Sequence, residues 1–246
     1  MIVADLAKPH IRAIDEALRR AWPDAASTDL VIVIGGDGSM LHAVRQHGTG
    51  RTYLGLNAGH VGFLLNDIDD IGRVATLLAE GRYDPWSYPL LAARMTTQTG
   101  EVVDELAIND VYMERMTGQT ARLALAINGE PIVETLVADG IIFATALGST
   151  AYTYSAGGPA AHPALRTLFV TPICAHRPRL APLALPADAR ATVDVHAVET
   201  RPVRAVADGR ETDHVVKVEV GFSDETVELA YLEGHDFTRT LVRKLL

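Results

Sequence analysis

The 246-residue chain holds a single cysteine, Cys174, which excludes an internal disulfide and fits a reducing compartment. That cysteine ends the apolar run Phe169-Val170-Thr171-Pro172-Ile173-Cys174, so the residues predict a buried structural thiol rather than a nucleophile. No apolar stretch approaches the roughly 18 residues of a membrane helix. The N-terminus, with Asp5 and Lys8, lacks the apolar core of a signal peptide. Positive charge is not in excess either: 22 Lys and Arg stand against 31 Asp and Glu, for a formal net charge of −9. That balance argues against a general nucleic-acid binder, while leaving room for a local site that takes an anionic ligand. The nine histidines form no HxxxH pair, and neither a CxxC nor a GxSxG motif occurs. The expectation is a cytoplasmic protein with no protein-built metal site and with neither a membrane nor a nucleic acid as partner.

What is present begins with Val31-Ile32-Val33-Ile34-Gly35-Gly36-Asp37-Gly38-Ser39-Met40-Leu41. A short run that is apolar on every side suits a strand buried on both faces of a parallel sheet. The three glycines that follow are expected to supply backbone angles closed to other residues and to let a ligand approach the main chain. Ser39 stands where a helix N-cap is expected. A strand, a glycine turn and a helix N-terminus together make an anion cradle. Asp37 inside it repels phosphate unless it holds a metal ion, takes a proton or accepts a hydrogen bond from a hydroxyl, and an ordinary capped βα turn is the bland alternative.

Ile11, Ile14, Leu18 and Trp22 mark a first helix between Pro9 and Pro23, preceded by room for a short edge strand only. Thr52 to Asn57 reads as a second parallel strand, Ala58 to Leu64 as a glycine-bearing turn, and Ile71, Val74, Leu77 and Leu78 as a helix closed by Gly81. This βαβα order predicts a Rossmann-like α/β layer with a parallel sheet over residues 1–88. From Pro89 the texture becomes all-β. Asn128-Gly129 and Asp208-Gly209 are hairpin signals, and alternation over 216–222 and again over 227–231 predicts half-buried strands. An antiparallel domain is expected over 89–232, and an Asp236-capped helix carrying Phe237, Leu241 and Leu245 over 233–246, docked back on the first domain.

Two further stretches carry chemistry. Asn109-Asp110 interrupts apolar runs on both sides; the residues alone favour a turn, with an amide and a carboxylate offered to a ligand as the functional reading. The segment from Asp139 to Pro159 runs from a buried strand into a long stretch rich in hydroxyls and glycine. Ser149, Thr150, Tyr152 and Ser155 there suit a sugar or base more than a second phosphate.

Taken together, Gly35-Gly36-Asp37-Gly38, Asn109-Asp110, Asp139-Gly140, Gly148-Ser149-Thr150-Ala151-Tyr152 and Ser155-Ala156-Gly157-Gly158-Pro159 resemble the NAD kinase family in order and spacing. The GGDG stretch alone is shared with lipid kinases and phosphofructokinases; the long third motif is highly specific. The resemblance implies an α/β N-terminal domain, a β-sandwich C-terminal domain and a final helix returning to the first. It implies transfer of the γ-phosphoryl of ATP, with Mg²⁺ or another divalent cation, to the 2′-hydroxyl of the NAD adenosine ribose, in a homodimer or homotetramer. By resemblance Asp37 is the catalytic aspartate and Gly38 its neighbouring nucleotide contact. Asn109 and Asp110 form the dinucleotide pair. Asp139, Thr150, Ala151, Tyr152, Thr153, Tyr154 and Ser155 are further NAD contacts, some reaching across a subunit interface, and His42, Arg122 and Arg210 fall at more variable contact positions. Thr145-Ala146-Leu147-Gly148 departs from the commoner Thr-Pro-Thr-Gly, Ser39 from Thr, and Val137 from a residue that is basic in many members. A lipid kinase sharing GGDG and a non-catalytic NAD(P)-binding sensor are the alternative readings.

Overall fold

The run after Asp29 is buried throughout in the computed structural model of the protein, which describes residues 1–23, 29–59 and 62–245. The chain divides into two units, Met1–Tyr88 with Glu225–Leu246, and Pro89–Asp224. In the first unit, β1 (Ile2–Ala4) is an edge strand parallel to β2 (Val31–Gly35), as the short lead segment predicts. α1 (Pro9–Ala21) lies between them in sequence, with proline in its first turn where a missing N–H costs nothing. α2 (Asp37–His47) follows β2, and β3 (Thr52–Asn57) pairs parallel with it, Ile32 opposite Leu54 and Ile34 opposite Leu56. The two-residue β4 (Asn66–Asp67) pairs parallel with the end of β3, and α3 (Ile71–Ala79) is capped by Asp70, whose carboxylate accepts from the N–H groups of Gly72 and Arg73.

The period-2 alternation of the strands sorts this core. Ile32, Ile34, Leu54 and Leu56 share a core with Ile11 and Leu18 of α1, Trp22 just after it, and Val74, Leu77 and Leu78 of α3. Gly55 points the other way, against Met40 of α2 and Leu65, so α2 covers the opposite face. Of the expected turn Ala58 to Leu64, His60 and Val61 lie outside the described residues.

The second unit is antiparallel. It is entered along β5 (Tyr83–Thr97), which pairs with β6 (Val102–Ala107). Then come β7 (Asp110–Arg115), β8 (Ala121–Ile127), β9 (Glu130–Ala138), β10 (Gly140–Ala144), a 3₁₀ turn (Leu147–Thr150) and the one-turn α4 (Tyr152–Ser155). β11 (Thr167–Ile173), β12 (Leu183–Pro186), β13 (Arg190–Val195), β14 (Val203–Ala207), β15 (Arg210–Thr212) and β16 (Val215–Leu232) complete it. One sheet runs β12-β11-β10-β7-β14-β15; facing it, the first half of β16 pairs with β13, β13 with β8 and β8 with β9. Val111, Met113, Ile141, Phe143 and Val170 of the first sheet and Leu123, Leu125, Val193, Val218 and Val220 of the second share one core, which makes a β-sandwich. On the outer face of the first sheet, Ile142, Ala144 and Phe169 pack with Tyr112 and Tyr152.

Both predicted hairpins form. Asn128-Gly129 joins β8 to β9 and Asp208-Gly209 joins β14 to β15, each pair having positive φ at both residues, as a two-residue turn between twisted strands requires. The two separate strands expected over 216–222 and 227–231 are instead one continuous strand, β16. Its second half belongs to the first unit, where Glu228, Leu229 and Ala230 lie parallel to Thr52, Tyr53 and Leu54 of β3. α5 (Phe237–Leu245) then packs on the first unit: the Phe237 ring lies 5.1 Å from that of Trp86 and 4.4 Å from that of Tyr231. Asp236 accepts from the Arg239 N–H at its start, and Arg243 pairs with Asp67. Cys174 corrects an expectation. It is exposed, because β11 ends at Ile173 and a φ of 47° at Cys174 turns the chain out of the sheet.

Candidate functional site

In the first unit, α2 begins one turn earlier than its sequence suggests. Gly36 is the N-cap and Asp37 the first helical residue; Ser39 sits at the third helical position, its hydroxyl accepting the Gly36 N–H. The Asp37 carboxylate does not cap this helix and is engaged elsewhere. Its two oxygens accept the N–H groups of Phe63 and Leu64, each at 2.9 Å. That pair of bonds spans 26 and 27 residues and fixes the side chain in one orientation. Two of the roughly four lone-pair positions of the carboxylate are thereby used, leaving the others for a ligand.

The glycines of this stretch work differently from expectation. None of Gly35, Gly36 and Gly38 is among the residues with positive φ, so unusual backbone angles are not their reason. Gly35 is required by closeness, since a Cβ there would lie 2.3 Å from the Ser39 hydroxyl. Among the described residues, nothing lies within 4 Å of such a Cβ at Gly36 or Gly38. The space beside the first turn of α2 is therefore open, as an anion approaching free N–H groups needs. His42 is exposed on the same helix, its Nδ1 2.9 Å from an Arg45 guanidinium nitrogen.

In the second unit, Ile108 and Asn109 form a bend between β6 and β7, the turn that the residues favour, and Asp110 is the first residue of β7. The bend is not exposed: Asn109 is 8% and Asp110 6% accessible. Three of its N–H groups converge on one half-buried carboxylate, that of Asp208: Ile108 at 2.6 Å, Asn109 at 3.0 Å and Asp110 at 3.2 Å. From the other side Thr145 donates its hydroxyl to the Ile108 carbonyl at 2.7 Å, accepts the Gly148 N–H at 2.9 Å, and gives its own N–H to the Asn109 carbonyl at 3.0 Å. Gly148 must be glycine, for a Cβ would stand 2.0 Å from the Asn109 carbonyl oxygen. Within this frame the Asn109 side-chain oxygen is buried with no hydrogen-bond donor among the described residues. Burial first, and the neighbouring Asp208 charge second, push Asp110 up to about 7 against an N–H of Tyr152 that pulls the other way.

Of the hydroxyl-rich segment, Tyr152 sets its ring edge-on to Tyr112 at 5.0 Å. Thr153 is fully buried with its hydroxyl unpaired; Tyr154 and Ser155 are exposed; Ala151 and Thr150 are half-buried. Ser149, expected among the ligand hydroxyls, is instead structural. It is fully buried, donates to Ala146 O at 2.6 Å and accepts from Ala161 N at 2.9 Å. Arg210 pairs with Glu105 at 2.7 Å, close behind Asp208.

The structure thus brings Asn109, Asp110, Tyr152 and Arg210 together. Asp139 is at the opposite end of β10, paired with Arg115 at 2.7 Å, whereas Asp110 lies opposite Ala144. Four strand residues separate the two carboxylates, on the order of 15 Å. Arg122 is exposed on β8, opposite Val137, and belongs with the Asp139 end. Asp208 and Thr145 are residues that sequence reading did not assign to the site. Asp208 was visible only as half of a turn signal, and nothing local announces a carboxylate that folds onto a segment about 100 residues earlier.

These arrangements have counterparts among known proteins. Residues 13–83 match the model of the ATP-NAD kinase N-terminal domain, and residues 105–228 that of the ATP-NAD kinase C-terminal domain. The chain is 36% identical over 219 residues to an NAD kinase of Hyphomonas neptunium, covering 88% of this chain and 85% of that one. It is 35% identical over 245 residues to an NAD kinase of Caulobacter vibrioides, covering 97% and 91%. A crystal structure of yeast NADH kinase complexed with NADH superposes with a TM-score of 0.79 at 25% identity, over 89% of this chain and 66% of that one. An NAD kinase from Archaeoglobus fulgidus in complex with ATP superposes with a TM-score of 0.79 over 99% and 97%, at 22% identity, a likeness of fold alone. Two successive domain matches, in the order of the two units, and identities above one third along most of the chain lead to one conclusion: the chain belongs to the ATP-NAD kinase family.

Proposed function

We propose that the protein is an NAD kinase, transferring the γ-phosphoryl of ATP to the 2′-hydroxyl of the adenosine ribose of NAD to give NADP. The observation that carries the mechanism is the Asp37 carboxylate, held by the Phe63 and Leu64 N–H groups beside an open helix N-terminus. A secondary alcohol is a weak nucleophile, and a fixed carboxylate aligns it and takes its proton as the P–O bond forms. The free N–H groups at the start of α2, with Gly38 beside them, receive phosphate oxygens of the donor. Among the described residues, no group of three or more His, Cys, Asp or Glu side chains is disposed to hold a metal ion. A divalent cation would enter on the phosphates of ATP, as part of the substrate, and neutralise their charge.

Asn109 and Asp110 are assigned to the dinucleotide, with Tyr152 and the neighbouring Thr150, Ala151, Thr153, Tyr154 and Ser155. The unpaired Asn109 oxygen and Thr153 hydroxyl support this. The separation of Asp139 and Arg122 from Asp110 along β10 supports a homo-oligomer in which they serve a neighbouring subunit's ligand. No described helix is long and apolar enough to cross a membrane, and the single exposed cysteine suits a reducing cytoplasm.

The decisive experiment incubates the purified protein with NAD, ATP and Mg²⁺ and couples the product to an NADP-specific dehydrogenase. Formation of NADP is expected. Tight NAD binding without NADP would mark a sensor instead, and phosphorylation of lipid without NADP a lipid kinase.

A further inference from the structure

Asp208 is a half-buried carboxylate that the proposed reaction leaves unused. It opens the turn between β14 and β15, and the chain holds a second turn of the same backbone geometry for comparison. At Asn128-Gly129 a neutral amide suffices, its oxygen accepting the Arg190 N–H at 2.8 Å. The turn at 208–209 therefore has no conformational need of a carboxylate. Here the side chain reaches back about 100 residues and gathers the N–H groups of Ile108, Asn109 and Asp110, while the Asp208 N–H donates to the Asp110 carbonyl at 3.1 Å. Three N–H groups on one carboxylate form a charge-assisted clamp, which offsets the cost of withdrawing the charge from part of its water.

We propose that Asp208 is a positioning residue for the dinucleotide: its carboxylate fixes the main chain of residues 108–110 so that the Asn109 amide and the Asp110 carboxylate are presented together. This rests on the reading of that pair as the NAD contact. Asp208 also acts on Asp110 through charge. The groups facing Asp110 are Asp208 on the β14–β15 turn, Arg210 behind it with its partner Glu105, Tyr112 on the same strand and Tyr152 on α4. Burial and the like charge of Asp208 both oppose ionisation of Asp110. An ionised Asp110 accepts hydrogen bonds from hydroxyls that its protonated form accepts poorly, so NAD affinity is expected to rise with pH through about 7.

The test is NAD binding by calorimetry, with NADP formation in parallel, across pH for the full-length wild type, Asp208→Asn, Asp208→Ala and Asp110→Asn. Asp208→Asn removes the charge and keeps one acceptor, so the pH at which NAD affinity changes is expected to move downward by about one unit. Asp208→Ala strands three N–H groups, and its NAD Kd is expected to rise by about ten-fold or more. An unmoved pH profile in the first variant together with an unchanged Kd in the second overturns the proposal. Should both variants fail to fold, Asp110→Asn decides: with Asp208 intact it is expected to abolish the pH dependence of NAD binding near neutrality, and full retention of that dependence overturns the proposal. A wild type that binds NAD without forming NADP overturns the kinase reading alone. A wild type that fails to bind NAD overturns both.

Discussion

Asp37 combines two properties that a catalytic base requires. Its orientation is set by two main-chain N–H groups rather than by another side chain, and those two bonds leave about half of its lone-pair positions for a ligand. Asp37→Asn keeps the shape and loses the base, so NAD binding is expected to persist while turnover falls by roughly two to four orders of magnitude. Single-turnover kinetics with calorimetric NAD titration check this, and near-normal turnover would remove Asp37 from its role. Asp110 gives a second expectation at this scale. An isolated Asp titrates near 3.8, whereas burial and then Asp208 lift Asp110 to about 7. Between these values the folded chain keeps a proton that the unfolded chain has lost. The contribution of Asp110 to stability therefore falls as pH rises from the ordinary carboxylate range to about 7 and is level above it. Urea unfolding at about pH 5 and about pH 7 is expected to show a larger loss in the wild type than in Asp110→Asn.

At the scale of elements, the turn at 145–148 and the bend at 108–110 act as one unit, joined by Thr145 and packed through Gly148. Gly148→Ala drives a methyl group into a carbonyl that the Asp208 clamp prevents from retreating. Stability is expected to fall by about 3 kcal/mol and the KM for NAD to rise. Gly38→Ala is the contrast. Its Cβ meets nothing within 4 Å and alanine favours a helix, so thermal stability is expected to hold or improve while the KM for ATP rises. Thermal melts and steady-state kinetics on the two variants separate a glycine needed for packing from one needed for ligand access.

Across the whole molecule, the first unit is assembled from both ends of the chain. Thr52 donates to Glu228 at 2.7 Å across 176 residues, and Asn66 donates to Ala230 O and accepts from Leu232 N. α5 then covers Trp86 and Tyr231 with Phe237, which is 7% exposed. The parallel sheet is complete only when Glu228, Leu229 and Ala230 pair with Thr52, Tyr53 and Leu54, a contact of high sequence separation and so one that is slow to form. Phe237→Ala is expected to cost about 3–4 kcal/mol, read as a lower urea midpoint, although the residue is remote in sequence from the strands it protects.

By itself the sequence determined the local elements and the chemistry-bearing residue types. The strand at 31–35, the helices at 9–21, 71–79 and 237–245 and both Xaa-Gly turns follow from periodicity, capping and the positive φ that those turns demand. The motifs named the family. Only the tertiary structure decided that β16 is one strand rather than two, that Ser149 is structural, that Cys174 faces outward, and that Asp37 is held by residues 63 and 64 while Asp208 holds 108–110. The reason is physical. Propensity and periodicity act over a few residues, whereas a carboxylate closes on whichever N–H groups the fold brings within about 3 Å, and that proximity is a property of strand order and register.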